Sequence, residues 1–258
     1  MSDSVLVLVC NAAYFPFAKK LFANALAAGN WKGDLLLITN DEHIKPFTLN
    51  NRNIEIKYVR PIEESDFSWS VYNPIVWNKL NIFEEDMKRW NHIVFLDCDI
   101  TIQGDINKLS RVKKFCAVPY NAYRLNALFL NRESTIYKEL LKNFDLNVVP
   151  LNSGVMAFPS SIINKNTLKD MVALYNKYKY IMYSDDEIIN LFFYKKWKKL
   201  KITYSYDLEH YKDYLLKSKP PRIIHYVHDK TWQNVIDHGY GIPTIWQDNM
   251  YELLQIRV

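Results

Sequence analysis

The chain has 258 residues, 49% of them hydrophobic and 24% charged, and its 33 basic and 28 acidic side chains give a formal charge of +5. A chain this rich in apolar residues is not mainly disordered, and its length suffices for one sizeable core. Eighteen Tyr, thirteen Phe and seven Trp predict an aromatic interior, and a modest positive excess without a nucleic-acid-binding motif predicts no nucleic-acid partner.

The elements begin with Val5–Val9, an apolar run read as a buried strand. No basic stretch precedes it, and it is too short for a signal-peptide core or a membrane span. No transmembrane anchor and a cytoplasmic location are therefore expected. Tyr14, Phe17, Ala18, Leu21, Phe22, Ala25 and Leu26 then recur at helical spacing up to Gly29. Leu35–Ile38 and Ile54–Val59 read as the next strands. A helix beginning near Tyr72 carries Val76, Leu80 and Phe83, and Ile93–Leu96 is a fourth strand entering Asp97-Cys98-Asp99. This alternation predicts an α/β fold with a mostly parallel sheet flanked by helices. Ligands in such sheets bind beyond the carboxyl ends of the strands, where Asn11 and Asp97 fall.

Further along, Phe115–Val118 reads as a strand, Tyr120–Asn131 has no clean period, and Ser134–Phe144 reads as a helix. Asn152-Ser153-Gly154 reads as a turn into the apolar run Val155–Phe158. Thr167–Tyr178 and Asp185–Trp197 read as helices, Arg222–Tyr226 as a short strand containing His225, and Ile245–Leu254 as a covering helix. No repeat or Pro/Gly-rich linker interrupts the chain, so residues 1–258 are read as one domain. Cys10, Cys98 and Cys116 match no zinc spacing and form no disulfide framework; they are expected to be reduced and partly buried. Lys195, Lys196, Lys198, Lys199 and Lys201 surround Trp197. They could meet nucleic acid or an anionic membrane, and the plainer reading is a solvated helix end.

Four segments carry candidate chemistry. Asp97 and Asp99 follow a buried strand, and carboxylates two residues apart on extended backbone share a side. Such a pair suits a hard divalent cation bridging a diphosphate, the alternative being a capped or salt-bridged loop. Asn152, Ser153 and Gly154 offer hydrogen bonds and close backbone approach. Ser184 and Glu187 have the spacing of a reciprocal helix cap, which leaves Asp185 and Asp186 only partly explained by the helix dipole. His225 could complete a metal site with the two carboxylates, and Lys230 could meet phosphate charge; a hydrogen-bonded structural His is the plainer reading.

Together these segments resemble the retaining glycosyltransferases of family 8, the group containing glycogenin and bacterial lipopolysaccharide galactosyltransferases. The resemblance runs from Val5 to about Trp232 through Val7–Tyr14, Lys79-Leu80, Phe95–Ile100 with Gly104-Asp105-Ile106, Asn152–Val155, Asp185–Phe193 and His225–Trp232. The chain departs from the family pattern with Cys10 for Thr, Asp186 for Gln, His228 for Gly, Thr231 for Pro, and one residue fewer between His225 and Lys230.

The resemblance implies a single GT-A type nucleotide-sugar-binding domain. Residues 1–110 would be its nucleotide-binding half, 111–232 its sugar- and acceptor-binding half and 233–258 a covering segment. It implies transfer of a hexose, glucose or galactose, from a UDP-sugar to a hydroxyl of a glycan, glycolipid or protein, with retention. Asn11 and Tyr14 would orient the nucleotide, Lys79, Asp97 and Lys230 would meet the donor diphosphate, and Asp97, Asp99 and His225 would hold Mn2+, with Mg2+ as the alternative. Asn152, Asp185 and Asp186 would surround the sugar as catalytic-site residues. Two other readings stand beside it: a haloacid-dehalogenase-type phosphohydrolase with Asp97 as nucleophile, and a non-catalytic nucleotide-sugar-binding protein.

Overall fold

A computed structural model describes residues 2–60, 74–121, 123–207 and 221–226. The first strand, β1 (Ser4–Val9), leads to helix α1 (Phe15–Ala27), then to β2 (Asp34–Thr39), β3 (Phe47–Leu49) and β4 (Arg52–Tyr58). A 3-10 helical stretch, Pro74–Phe83, stands where the helix from Tyr72 was expected; Tyr72 itself lies outside the described residues. Strands β5 (His92–Leu96), β6 (Ile100–Ile102) and β7 (Cys116–Pro119) follow, then α2 (Thr135–Asn143) and β8 (Leu151–Pro159). Helices α3 (Thr167–Tyr178) and α4 (Asp185–Phe192), then β9 (Lys198–Lys199), β10 (Tyr206–Asp207) and β11 (Ile223–His225), complete the described elements.

Eight of the described strands form one sheet in the order β3-β4-β2-β1-β5-β8-β7-β9. Strands β4, β2, β1 and β5 run parallel, whereas β8 is antiparallel to both β5 and β7. The central strands are apolar throughout because both faces are covered. Val5, Val7, Leu36, Ile38, Ile93 and Phe95 pack with Trp77, Leu80 and Phe83 on one face. Leu6, Leu8, Leu35, Leu37, Val94 and Leu96 pack with Ala18, Leu21, Phe22 and Ala25 of α1 on the other. Phe83, Phe115, Phe158 and Phe193 stack under the first face, with Phe115 and Phe193 centroids 3.8 Å apart.

Three departures from the sequence reading bear on function. Asn152, Ser153 and Gly154 are not a turn before a strand but part of β8. The register against β7 jumps there from Ala117↔Met156 to Val118↔Asn152, a bulge that re-aims the residues between. Helix α4 stops at Phe192 instead of reaching Trp197, and the lysine-rich segment behind it becomes the edge strand β9. A second sheet, β10-β11-β6, joins distant segments, with β11 antiparallel to β6. The expected covering helix Ile245–Leu254 lies outside the described residues.

Candidate active site

A cleft of about 250 Å3 opens beyond the carboxyl ends of β1 and β5. Its lining includes Tyr14, Lys79, Asp97, Asp99, Asn152, Asp185, Asp186 and His225, which come from six separate places along the chain. Asn11 instead turns its side-chain oxygen onto the Tyr14 N–H at 3.2 Å, closing the turn that leads into α1. Lys230 and Trp232 lie outside the described residues.

The two acids and the histidine meet because of the second sheet. His225 is in register with Ile100, so it stands beside Asp99, and the Tyr226 N–H donates to Asp99 O at 3.0 Å. His225 Nε2 is 3.2 Å from Asp99 Oδ1 and 3.9 Å from Asp97 Oδ2. One ligand atom from each of the three lies within 4.8 Å of the other two. The other ring nitrogen, Nδ1, is 3.2 Å from Ser205 Oγ, a partner that can fix the tautomer and leave Nε2 facing the carboxylates. Asp99 Oδ1 is buried yet has no well-aligned hydrogen bond. An under-satisfied buried carboxylate oxygen, a second carboxylate and an oriented imidazole fit a divalent cation with bonds of about 2.0–2.6 Å.

Gly154 makes this packing possible. A Cβ at that position would lie 2.1 Å from His225 Cε1, 2.9 Å from His225 Nδ1 and 2.9 Å from Asn152 Oδ1. Its carbonyl accepts the Asp97 N–H at 2.9 Å, and its own N–H donates to Asn152 Oδ1 at 2.9 Å. The bulged strand therefore holds the start of the acidic loop and leaves room for the imidazole.

A second hub surrounds Lys79, which is only 6% exposed. Its Nζ is 2.7 Å from Asp185 Oδ2, 3.0 Å from Asp97 Oδ1 and 3.0 Å from Ser153 Oγ. Ser153 Oγ in turn donates to Asp185 Oδ2 at 2.7 Å, and the Ser153 N–H donates to Asp186 Oδ1 at 2.8 Å. Asp186, expected to surround the sugar, thus has one oxygen committed to bracing β8. Asn190 braces the same junction, accepting the Leu151 N–H at 2.8 Å and donating to Leu151 O at 2.9 Å. At the start of α4 the Ser184 N–H donates to Glu187 Oε2 at 3.0 Å and the Asp186 N–H donates to Ser184 Oγ at 3.2 Å, the reciprocal cap.

Crowded carboxylates in a dry site shift one another. Burial pushes the Asp97 carboxyl up to about 6, against the pull of Lys79 and with the push of Asp99. Burial and then Asp185 raise Asp186. Burial opposes the charge on Lys79, but Asp185 and Asp97 outweigh it and hold the ammonium protonated. Burial would lower His225, yet the Asp99 and Asp97 carboxylates more than compensate and raise it. Four carboxylates against Lys79 and His225 still leave a surplus of negative charge that an added cation would neutralise.

Ser153 and Ser205 are the site residues least visible from sequence. Ser153 stood within a recognisable segment, but its role as a link between Lys79 and Asp185 follows from the bulge. Ser205 stands in no motif, and only the pairing of β10 with β11 brings its segment to His225.

The sequence pattern of glycosyl transferase family 8 matches residues 37–235, well over half of the chain. No curated protein matches the chain in sequence. Among solved structures, the apo bifunctional glycosyltransferase WbbM superposes with a TM-score of 0.61 at 14% identity, over 88% of this chain and 46% of that one. The galactosyltransferase LgtC, solved with donor and acceptor sugar analogues, gives 0.58 at 15% identity over 95% and 99%. The glycosyltransferase GlyE of Streptococcus pneumoniae TIGR4 gives 0.57 at 14% identity over 88% and 55%. The chain thus spans under half of WbbM, about half of GlyE and almost all of LgtC. At these identities the likeness establishes the fold, a GT-A-like mixed sheet flanked by helices.

Proposed function

The chain belongs to glycosyl transferase family 8, and from that premise we propose that it moves a hexose, glucose or galactose, from a UDP-sugar to a hydroxyl of a glycan, glycolipid or protein with retained anomeric configuration. The observation that carries this reading is the Asp97, Asp99 and His225 cluster beside Lys79 in one cleft. The hard, mixed oxygen and nitrogen donor set supports Mn2+, with Mg2+ as the alternative. When bound, the cation supplies Lewis-acid stabilisation of the charge that grows on a departing diphosphate.

The chain's own residues would do the rest. Asp97, Asp99 and His225 would hold the ion, and Lys79 brings a fixed positive charge to the same cleft. Asn11 and Tyr14 would orient the nucleotide, with Lys230 as a second cation toward the diphosphate. Asn152, Asp185 and Asp186 would position the sugar. Asp185 Oδ2 is engaged by Lys79 and Ser153, and Asp186 Oδ1 by the Ser153 N–H, which supports positioning roles for both rather than attack on the sugar. The histidine beside the paired aspartates favours this reading over a phosphohydrolase, which has no use for it. Three unpaired cysteines support a reducing compartment, and the cytoplasm is the proposed location.

The test is a panel of nucleotide sugars incubated with the full chain, with and without Mn2+, reading nucleotide release. Metal-dependent release of UDP from UDP-glucose or UDP-galactose is expected. Release of inorganic phosphate from phosphomonoesters instead, or binding without turnover of any nucleotide sugar, would overturn it.

A further inference from the structure

The lysine-rich segment is not a helix end but the exposed edge of the main sheet, and its surroundings point to a docking surface. Among the described residues, strand β9 is the last in the sheet and pairs only with β7. Because the two run parallel, with Cys116 opposite Lys198, the residues entering both strands lie at one end of that edge. Arg111, Lys113 and Lys114 lead into β7; Lys195 and Lys196 lead into β9; Lys198, Lys199 and Lys201 continue along it. All eight are exposed. None of them makes an ion pair among the described residues, whereas Lys57, Arg89 and Lys177 elsewhere on the surface are paired. Asp145 touches Tyr194 beside the edge, but its Oδ1 accepts the Asn147 N–H. These eight carry +8 against +5 for the whole chain, so everything else sums to −3. The charge is therefore segregated onto one rim.

The shape of this rim selects the partner. Lys198 and Lys199 are successive strand residues and project to opposite faces of the sheet, so the cations straddle the edge instead of lining one continuous track for a polymer backbone. On one face Lys195, Trp197 and Lys199 border a local recess of about 360 Å3 with Leu125, Val148 and Tyr194. Half-buried Trp197 stands at one end of the strand, and Ile202, exposed to 37%, lies beyond the other. An aromatic and an aliphatic side chain among lysines without ion pairs, one of which, Lys195, lies over the Tyr194 ring, suit an interface where rings and chains dip between headgroups and ammonium groups stay at the surface. We propose that the β9 edge docks the protein on a membrane surface rich in anionic lipid. At its other end β7 leads to Tyr120 in the cleft wall, so the docking edge and the cleft share one strand. The inference does not depend on sugar transfer.

The test uses co-sedimentation of the full chain with vesicles of phosphatidylcholine alone or with roughly one third phosphatidylglycerol. Binding to the anionic vesicles only, weakening as salt rises from about 0.05 to 0.5 M, is expected. Changing Lys195, Lys196, Lys198 and Lys199 together to Gln should weaken partitioning at least about a hundredfold, each lysine contributing roughly fivefold. Changing the same four to Arg should preserve it. Changing Lys138, Lys142, Lys165 and Lys169 to Gln removes equal charge from other exposed positions and should leave binding within about threefold of the parent. Equal loss from both Gln sets, equal binding to both kinds of vesicle, or retention by heparin or duplex RNA without vesicle binding would each overturn the proposal. A merely solubilising edge predicts no vesicle binding at all.

Discussion

Gly154→Ala tests how the site is built. The added methyl would sit 2.1 Å from His225 Cε1, where ordinary contact begins near 3.4 Å, so the ring or the strand must yield by about 1.3 Å. His225 is 3% exposed and cannot swing into solvent, and Gly154 is tied to Asp97 through its carbonyl. Overpacking of this kind costs about 1–3 kcal/mol. In a chain of this length each kcal/mol lowers Tm by roughly 2–4 °C, so a fall of about 2–12 °C is expected without metal. Mn2+ affinity, measured by titration calorimetry, should drop at least about tenfold because the imidazole leaves its place beside Asp99. The decisive control is Gly154→Ala combined with His225→Ala. Removing the ring removes the clash, so the double variant should be more stable than the two single changes predict, by about 1–2 kcal/mol of coupling. Additive losses, or a Gly154→Ala protein with unchanged Tm and Mn2+ affinity, would refute this account of the glycine.

Asp99→Asn should abolish the rise in Tm that Mn2+ produces, because it removes a charged ligand of the cluster, and should also lower the metal-free Tm slightly, because the buried imidazole 3.2 Å away loses its carboxylate partner; a Mn2+ response equal to the parent's would remove Asp99 from the metal site. Lys79→Met should cost about 3–5 kcal/mol in denaturant melts, since it strands Asp97 and Asp185 without their shared cation; a loss under about 1 kcal/mol would show that they need no partner. Glu187, whose carboxyl is pushed up to about 8 by burial and then Asp186, binds its proton more tightly folded than unfolded. It therefore favours the fold fully below about pH 4.5 and loses that contribution as pH rises through about 8, so Tm should decline over this window less steeply in Glu187→Gln than in the parent. Asp186→Asn keeps an oxygen for the Ser153 N–H and should leave Tm nearly unchanged, while shifting the ratio of kcat/KM between two UDP-sugars by roughly tenfold; an unchanged ratio removes Asp186 from donor selection.

Sequence alone determined the parts of this protein that depend on local pattern. Val5–Val9 and Ile93–Leu96 read as buried strands because both faces of a covered parallel sheet must be apolar, and Asp97 fell at a strand end by position in the chain. Ser184 and Glu187 read as a cap because capping acts over three residues. What lay beyond that reach was decided by pairing. Lys195 to Lys201 keep helical composition, yet β7 offers an open edge, and the Lys198 N–H and Leu200 N–H bond to Phe115 O and Ala117 O instead. Asn152 to Gly154 carry turn residues, but a bulge lets them stay in β8 while meeting Lys79, Asp186 and His225. Ser205 reached His225 only because β10 and β11 pair across a long stretch of chain. Hydrophobic period and capping are short-range terms, whereas strand register and side-chain satisfaction in a buried cleft depend on which distant backbone arrives alongside, a choice made by the whole fold at once.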